Sequence, residues 1–505
     1  MAEEIKDIQQ VTQEKDNKSS YRSIFKSTSL FGGVQVYQIL IEIIKSKIIA
    51  VLLGPTGVGI QGLYTSATQL IQQSTSFGLS SSAVRNVAEA NGTGDRNRIA
   101  RVVYSLRRLV WITGLLGMFA VIVFSPLLSK TSFGDSNHII PFIIISVTLL
   151  FTQLSAGQKV ILQGTRHLGY LAKSSAIGVT LGLLIAIPLY YWFGVDGIVP
   201  NIVISSITVL ALSWYFSRKV DIDKVSMTSR EVFKEGKTML TMGVAMSITH
   251  LLASLSSYAL RASIRLWGGV EAVGLFTAGY MLMTQYTGLV FKAMGTDFYP
   301  KLASVNQDNV KCRQMMNQQG EVGILILAPL LVLCVVFMPF IVKLLYSDQF
   351  LEINPYIIWC SAGMMFKMAS WAVSYVFIAK GESKTYMIIE STAAVYTLVL
   401  NLIGYKFYGL QGLGLSFFIS YILYLIEVYW IANHKYSFSF DWELIRVFII
   451  QFVLLVLSII SVLVLSTIMK YLIGIILILL SSGFSLLELE KRMKLLSVIK
   501  TKFKR

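Results

Sequence analysis

The feature that most constrains this chain is the recurrence of unbroken apolar runs. "LVWITGLLGMFAVIVFSPLL" (Leu109–Leu128) and "VGILILAPLLVLCVVFMPFIV" (Val322–Val342) are two of them. At 1.5 Å rise per residue, a helix of about 20 residues crosses the ~30 Å hydrocarbon layer of a bilayer. No water pairs with the backbone there, so each run must satisfy its own N–H and C=O groups, which a helix does within one segment. Only 14% of residues are charged, against about 25% in a soluble domain. The expected fold class is an all-α polytopic membrane protein.

Spans are expected over 28–52, 59–82, 109–129, 140–163, 169–191, 196–216, 239–263, 274–296, 322–344, 355–379, 387–407, 411–432, 447–468 and 471–488, about fourteen in all. The last two are separated only by Met469 and Lys470. The polar, charged first 29 residues read as a cytoplasmic tail rather than a signal peptide. With the N-terminus in the cytoplasm, the segments on that side hold Arg96, Arg98, Arg101, Arg107 and Arg108, then Arg218, Lys219, Lys224, Arg230, Lys234 and Lys237, and most other cations. The opposite side holds Lys130, Arg261, Arg265, Lys343, Lys406 and Lys470. The net charge of +17 is then the positive-inside bias of a membrane protein, not the footprint of a nucleic-acid binder. Both termini are expected in the cytoplasm. Cys312, Cys334 and Cys360 make no disulfide framework, and the four histidines have no ligand spacing, so no metal or other cofactor is expected. The non-cytoplasmic loops are too short for a catalytic domain.

The chain repeats itself. A shift of 215 residues places Gly54 on Gly269, Gly59 on Gly274, Ala88 on Ala303, Arg98 on Arg313, and "FGVDG" (Phe193–Gly197) on "YGLQG" (Tyr408–Gly412). Six spans per repeat is an even number, so the two lobes are expected to be parallel, a plan that transporters use. The expected organisation is a tail (1–27), an N-lobe (28–216), a linker (217–238), a C-lobe (239–433), an additional helix pair (434–490) and a basic tail (491–505).

Within "LLGPTGVGIQGLY", Gly57, Gly59 and Gly62 spell G-x-G-x-x-G. A dinucleotide-binding turn needs a strand before it, a helix after it and an acidic residue about 20 positions on. Here a membrane span precedes it, and the next acidic residue is Glu89. The glycines are instead expected to form the turn between spans one and two, with Pro55 stopping the first helix. "GVEAVG" (Gly269–Gly274) holds the equivalent place in the second lobe.

Ionisable groups within spans are expensive and mark function. Gln35, Gln38, Glu42 and Lys45 share one face of span one, with Lys47 on another face nearer the outer end. Span seven carries Arg261 and span ten Lys367; spans eleven and twelve carry Glu390 and Glu427, which also fit ordinary inter-helix hydrogen bonding. Cations facing one cavity suit an anionic substrate, phosphate above all. Lys45, Lys47, Arg261 and Lys367 are the candidates. Glu42 is the candidate carboxylate for H+ or Na+ coupling. Gln38, Gln69 and Gln73 are candidate sugar contacts. The hydroxyl-rich span holding Gln69 and Gln73 equally fits polar helix packing.

"LLGPTGVGIQGLYTSATQL", "FGLSSSAVRNVAEANGTGDRNRIARVV", "LQGTRHLGYLAKSSAIG" and "YYWFGVDGIV" together resemble the Wzx-type polysaccharide flippases, the O-antigen and enterobacterial-common-antigen translocases. These belong to the multidrug/oligosaccharidyl-lipid/polysaccharide exporter (MOP) superfamily. The resemblance covers residues 25–435 and is strongest in the first 215. It implies two six-helix lobes, a cationic cavity, and alternating access of an undecaprenyl-diphosphate-linked oligosaccharide across the bacterial inner membrane, with no bond made or broken. It implies Lys47 and Arg261 as cavity cations, and glycan polymerase and chain-length proteins as candidate partners. The alternatives are a MATE-type drug/cation antiporter, which would want carboxylates, and a membrane glycan polymerase or acyltransferase, which would want a large loop or a histidine centre.

Overall fold

The computed structural model describes the backbone of residues 2–493, and side chains over 33–492 apart from 245, 246, 285, 286, 293, 296, 297 and 467. All regular structure among the described residues is helical. The helices are α1 (Ala2–Ser76), α2 (Leu79–Gly92), α3 (Arg96–Phe133), α4 (Ile139–Gly164), α5 (Leu168–Phe193) and α6 (Ile198–Ser217). Then follow α7 (Ser229–Ser304), α8 (Asn309–Leu345), α9 (Asn354–Ala379), α10 (Ser383–Tyr436), α11 (Trp442–Val464) and α12 (Thr467–Met493). Among the described residues, nine helical stretches are long and apolar enough to cross a membrane. Three of them break internally, at Gly194, Gly269 and Gly409, and α1 breaks at Gly54. Length and apolarity alone thus select nine stretches, and fourteen crossings remain our proposal for how the broken ones are threaded. The basic tail expected over 491–505 lies outside the described residues beyond Met493.

The breaks carry the sequence repeat. Gly54 (φ 63°, ψ −172°) and Gly269 (φ 81°, ψ 179°) adopt one unusual conformation, and Gly194 (φ 53°, ψ −128°) and Gly409 (φ 56°, ψ −139°) another. Each pair is 215 residues apart. So are Arg166 (φ 59°) and Gly381 (φ 75°), which end α4 and α9. At Gly54 the combination of positive φ and extended ψ is open only to glycine, and Pro55 then starts the next helix with its pre-set φ. This corrects the expected turn. Pro55 begins a helix rather than ending one, and Gly57, Gly59 and Gly62 are helical.

Two compact units emerge: Met1–Leu53 with Tyr64–Ser254, and Gly54–Leu63 with Leu255–Arg505. In the first, the core gathers α2, α3, α4 and the start of α7 through Leu79, Val87, Leu106, Leu109, Leu154, Ile161 and Met239. In the second, α9 is the centre, with Phe377, Val376 and Val373 packed against Phe298, Cys312, Val428 and Phe438. Helices α11 and α12 are fastened to α8 by an ionic cluster: Arg492 pairs with Glu321 and Glu488, and Arg446 with Glu488 at 3.1 Å.

Several boundaries differ from expectation: α3 begins at Arg96 rather than at 109 and α8 at Asn309 rather than at 322, and two others differ for clear local reasons. Helix α7 begins ten residues before 239, because Thr228 and Glu231 form a capping box. The Thr228 N–H donates to Glu231 Oε2 at 2.8 Å, and the Glu231 N–H donates to Thr228 Oγ1 at 3.4 Å. The last two helices separate at Leu465 and Ser466, so Met469 and Lys470 lie inside α12. The short helix α2 is amphipathic, burying Leu79, Ala83, Val87 and Ala90, and Asp95 caps α3 by accepting from the Asn97 and Arg98 N–H groups.

In the second unit the former G-x-G-x-x-G segment packs on α7 in a reciprocal way. A Cβ on Gly59 would strike the Val270 carbonyl oxygen and lie 3.0 Å from the Gly274 nitrogen. A Cβ on Gly274 would strike the Pro55 carbonyl oxygen and lie 3.0 Å from the Gly59 nitrogen. Gly62 faces Thr277, whose Oγ1 would be 2.9 Å from its Cβ. Under the 215 shift Pro55 is Val270, Gly59 is Gly274 and Gly62 is Thr277. The glycines therefore serve backbone contact between helices, which a nucleotide would obstruct.

Candidate substrate site

Arg261 and Lys367 both lie in the second unit, each within electrostatic reach of Tyr280. Arg261 lies eight residues before the Gly269 break, in a helix hydrophobic enough to be membrane-embedded. Its Nη1 donates to Ser257 Oγ and to the Ser257 carbonyl oxygen one turn earlier, and the guanidinium carbon is 5.6 Å from the Phe276 ring centroid. Its Nε is buried without a partner among the described residues. No carboxylate pairs with it among those residues; the groups within electrostatic reach are the Tyr280 and Tyr356 hydroxyls. A half-buried guanidinium held only by neutral groups is partly desolvated without a counter-ion, and an anion would supply one.

Lys367, on α9, sits among aromatic faces, 5.1 Å from Tyr421, 5.4 Å from Phe291 and 6.0 Å from Phe417. Tyr280 lies within electrostatic reach of it as of Arg261, and Cys360 within reach of both Lys367 and Tyr356. The two cations therefore border one group of tyrosines. Lys367 is also within electrostatic reach of Glu390, which accepts from Tyr424 Oη at 2.6 Å. Glu427 accepts from Tyr396 Oη at 3.2 Å. Each glutamate thus takes a phenolic hydrogen bond between the two legs of α10.

The remaining candidates lie in the first unit. Lys45, Glu42, Gln38 and Lys47 stand, each half-buried, on the first leg of α1, which Tyr37 ties to α5 by a 2.6 Å bond to Thr180 Oγ1. Among the described residues, Glu42 and Lys45 form no ion pair with each other. Gln69 is exposed and Gln73 half-buried on the second leg. The hydroxyls around these glutamines are engaged by their own helix: Thr68 donates to the Tyr64 carbonyl at 2.8 Å, Ser74 to Leu70 at 2.9 Å and Thr75 to Ile71 at 2.9 Å. Tyr280, Tyr356 and Ser257, which surround Arg261, carry no signal in the sequence beyond being polar tips in apolar helices.

A helical membrane protein with kinked, repeated helices and half-buried cations within them has the build of a transporter. The fold is that of the MATE and MurJ transporters of the MOP superfamily. An inward-facing multidrug resistance MATE family transporter of that superfamily matches with a TM-score of 0.67 at 16% identity, over 79% of this chain and 94% of the other. The lipid II flippase MurJ, in an inward closed conformation, matches with a TM-score of 0.62 at 13% identity, over 92% and 99%. The chain belongs to the polysaccharide biosynthesis protein family, whose profile it matches over residues 48–355. The "Putative O-antigen transporter" of Shigella flexneri is 22% identical over 428 residues, 82% of this chain and 99% of the relative. These relatives are named for transport, not for catalysis, in line with a protein that is not an enzyme.

Proposed function

We propose that this chain is a flippase that moves an undecaprenyl-diphosphate-linked oligosaccharide across the bacterial inner membrane by alternating access. The observation that carries the proposal is Arg261: a half-buried side chain whose Nε is buried and unpartnered, with no carboxylate on it among the described residues, and with Tyr280 within electrostatic reach of both it and Lys367. A diphosphate supplies the missing counter-charge through bidentate, charge-assisted hydrogen bonds. The family membership and the naming of the Shigella relative support polysaccharide-linked cargo. Lys45 and Lys47 are proposed to attract the same group from the first leg of α1, and Gln38, Gln69 and Gln73 to hold sugars. Coupling to H+ or Na+ is assigned to a membrane carboxylate. Glu42 is the choice from sequence, and Glu390 is a second, because it adjoins Lys367.

The test is reconstitution in liposomes with a fluorescent undecaprenyl-diphosphate oligosaccharide. Leaflet exchange above that of empty vesicles, reduced by Arg261→Ala, is expected. Exchange no faster than in empty vesicles refutes the flippase assignment. Undiminished exchange in Arg261→Ala removes that residue from the site.

A further inference from the structure

In the first unit, at the end of the bundle where α3 enters its apolar run and α6 leaves it, cations from two helices converge without acidic partners among the described residues. Helix α4 brings the two helices side by side here: a Cβ on Gly157 would lie 3.0 Å from Val110 Cγ2 of α3, and the adjacent Gln158 accepts from Ser217 of α6. Arg107, one turn before Val110, and Arg218, next to Ser217, lie within electrostatic reach of each other. Arg108 is held to Tyr104 Oη at 3.1 Å, Arg218 stacks 4.1 Å from the Trp214 ring centroid, and Lys219 lies 4.5 Å from that of Tyr215. The acids nearby are engaged elsewhere: Asp221 and Asp223 with Arg96, Glu231 with Arg101, and Glu89 with Arg98. The end of α6 is also fixed, since Ser217 Oγ donates to Gln158 Oε1 of α4 at 2.6 Å. Below the cations, Trp111 (one turn beyond Arg107), Trp214 and Tyr215 are 49%, 49% and 58% exposed, as expected of rings at the headgroup level. Ile112, Leu115 and Ile207 continue the exposed apolar surface inward.

We propose that this junction binds an anionic phospholipid of the leaflet it faces, the phosphate lying between Arg107 and Arg218 and the acyl chains along α3 and α6. A lipid phosphate relieves the repulsion between the two arginines, as basic pockets between membrane helices do for anionic headgroups. The aromatic rings and apolar faces directly below the charges favour a bilayer lipid over a soluble phosphate. The proposal is independent of what the chain transports.

The experiment compares thermal unfolding of the full chain, and of an Arg107→Gln/Arg218→Gln variant, in micelles titrated with phosphatidylglycerol, phosphatidylcholine or undecaprenyl phosphate. The parent is expected to be stabilised by phosphatidylglycerol and not by phosphatidylcholine, with a half-effective concentration that rises with salt. Each arginine removed should weaken the response about fivefold, so the double variant should need roughly 25 times more lipid. If the variant unfolds like the parent in phosphatidylcholine yet responds undiminished to phosphatidylglycerol, the site is refuted. If the parent responds to undecaprenyl phosphate and not to phosphatidylglycerol, the site belongs to the polyprenyl lipid and the proposal is overturned. A variant too unstable to compare is replaced by Arg107→Lys/Arg218→Lys. That pair keeps charge but loses the fork; an undiminished response would overturn the assignment of a phosphate held between the two guanidiniums.

Discussion

The reciprocal glycine contact makes a prediction in which one chemical change has opposite signs at two sites. In Gly274→Ala the added methyl would lie 2.7 Å from the Pro55 carbonyl carbon, and closer still to its oxygen, where ordinary contact begins at 3.4 Å. The two helices must part by about 0.7 Å on that carbon contact alone. Both partners are backbone, so no rotamer change relieves the clash. Overpacking of this kind costs about 1–3 kcal/mol. At Gly483, inside α12, an added Cβ would find nothing within 4 Å, so Gly483→Ala meets open space and gains helix propensity, about 0.5–1 kcal/mol in favour. Denaturation midpoints of both variants in one detergent are the assay. Gly274→Ala should fall below the parent and Gly483→Ala should match or exceed it. Gly59→Ala should behave like Gly274→Ala, its Cβ meeting Val270. A Gly274→Ala midpoint equal to the parent's would refute the backbone contact.

Other outcomes follow from single features. Arg166 holds a left-handed φ of 59° where the second repeat has Gly381, so Arg166→Gly should raise the denaturation midpoint by an amount equivalent to about 0.5–1 kcal/mol, left-handed strain outweighing the entropy of glycine. Arg261→Met should abolish transport in the liposome assay while raising stability by about 1 kcal/mol, since it removes a half-buried charge with no carboxylate partner among the described residues. The Lys435 ammonium, by hydrogen bonding, holds the Glu382 carboxyl down at about 2 from its ordinary 4.5. That contribution is full above pH 4.5 and lost as pH falls toward 2, so parent and Glu382→Gln should differ in unfolding temperature at pH 6, differ less at pH 3, and converge only at about pH 2 or below.

The helical spans are legible in the sequence because the bilayer fixes their length and forbids other backbone solutions; α4 and α9 fall within a residue of expectation. The repeat is legible too, and the paired backbone breaks show why: glycine is retained where only glycine can turn. The start of α7 is not visible to hydropathy, because a polar helix extension carries none, although Thr228-Ser-Arg-Glu231 spells a capping box. Gly59 and Gly62 read as a turn because a sequence shows that glycines cluster, not whether they serve φ or proximity. Arg261 and Lys367 stand out as charges in apolar helices. Tyr280 and Tyr356 do not, because a tyrosine in a span has the same pattern whether it belts the membrane, fills a core or faces a cation.

The crossing of Pro55–Thr277 has one more consequence. Residue equivalents meet one another there: Gly59 meets Gly274, and Gly62 meets Thr277. Such self-complementarity is the mark of an isologous interface, in which one surface binds its own copy across a two-fold axis. In such a contact a side chain added at one position meets the equivalent position 215 residues away, so Gly59 and Gly274 leave no room for a Cβ on either side, while Gly62 makes room for the Thr277 side chain.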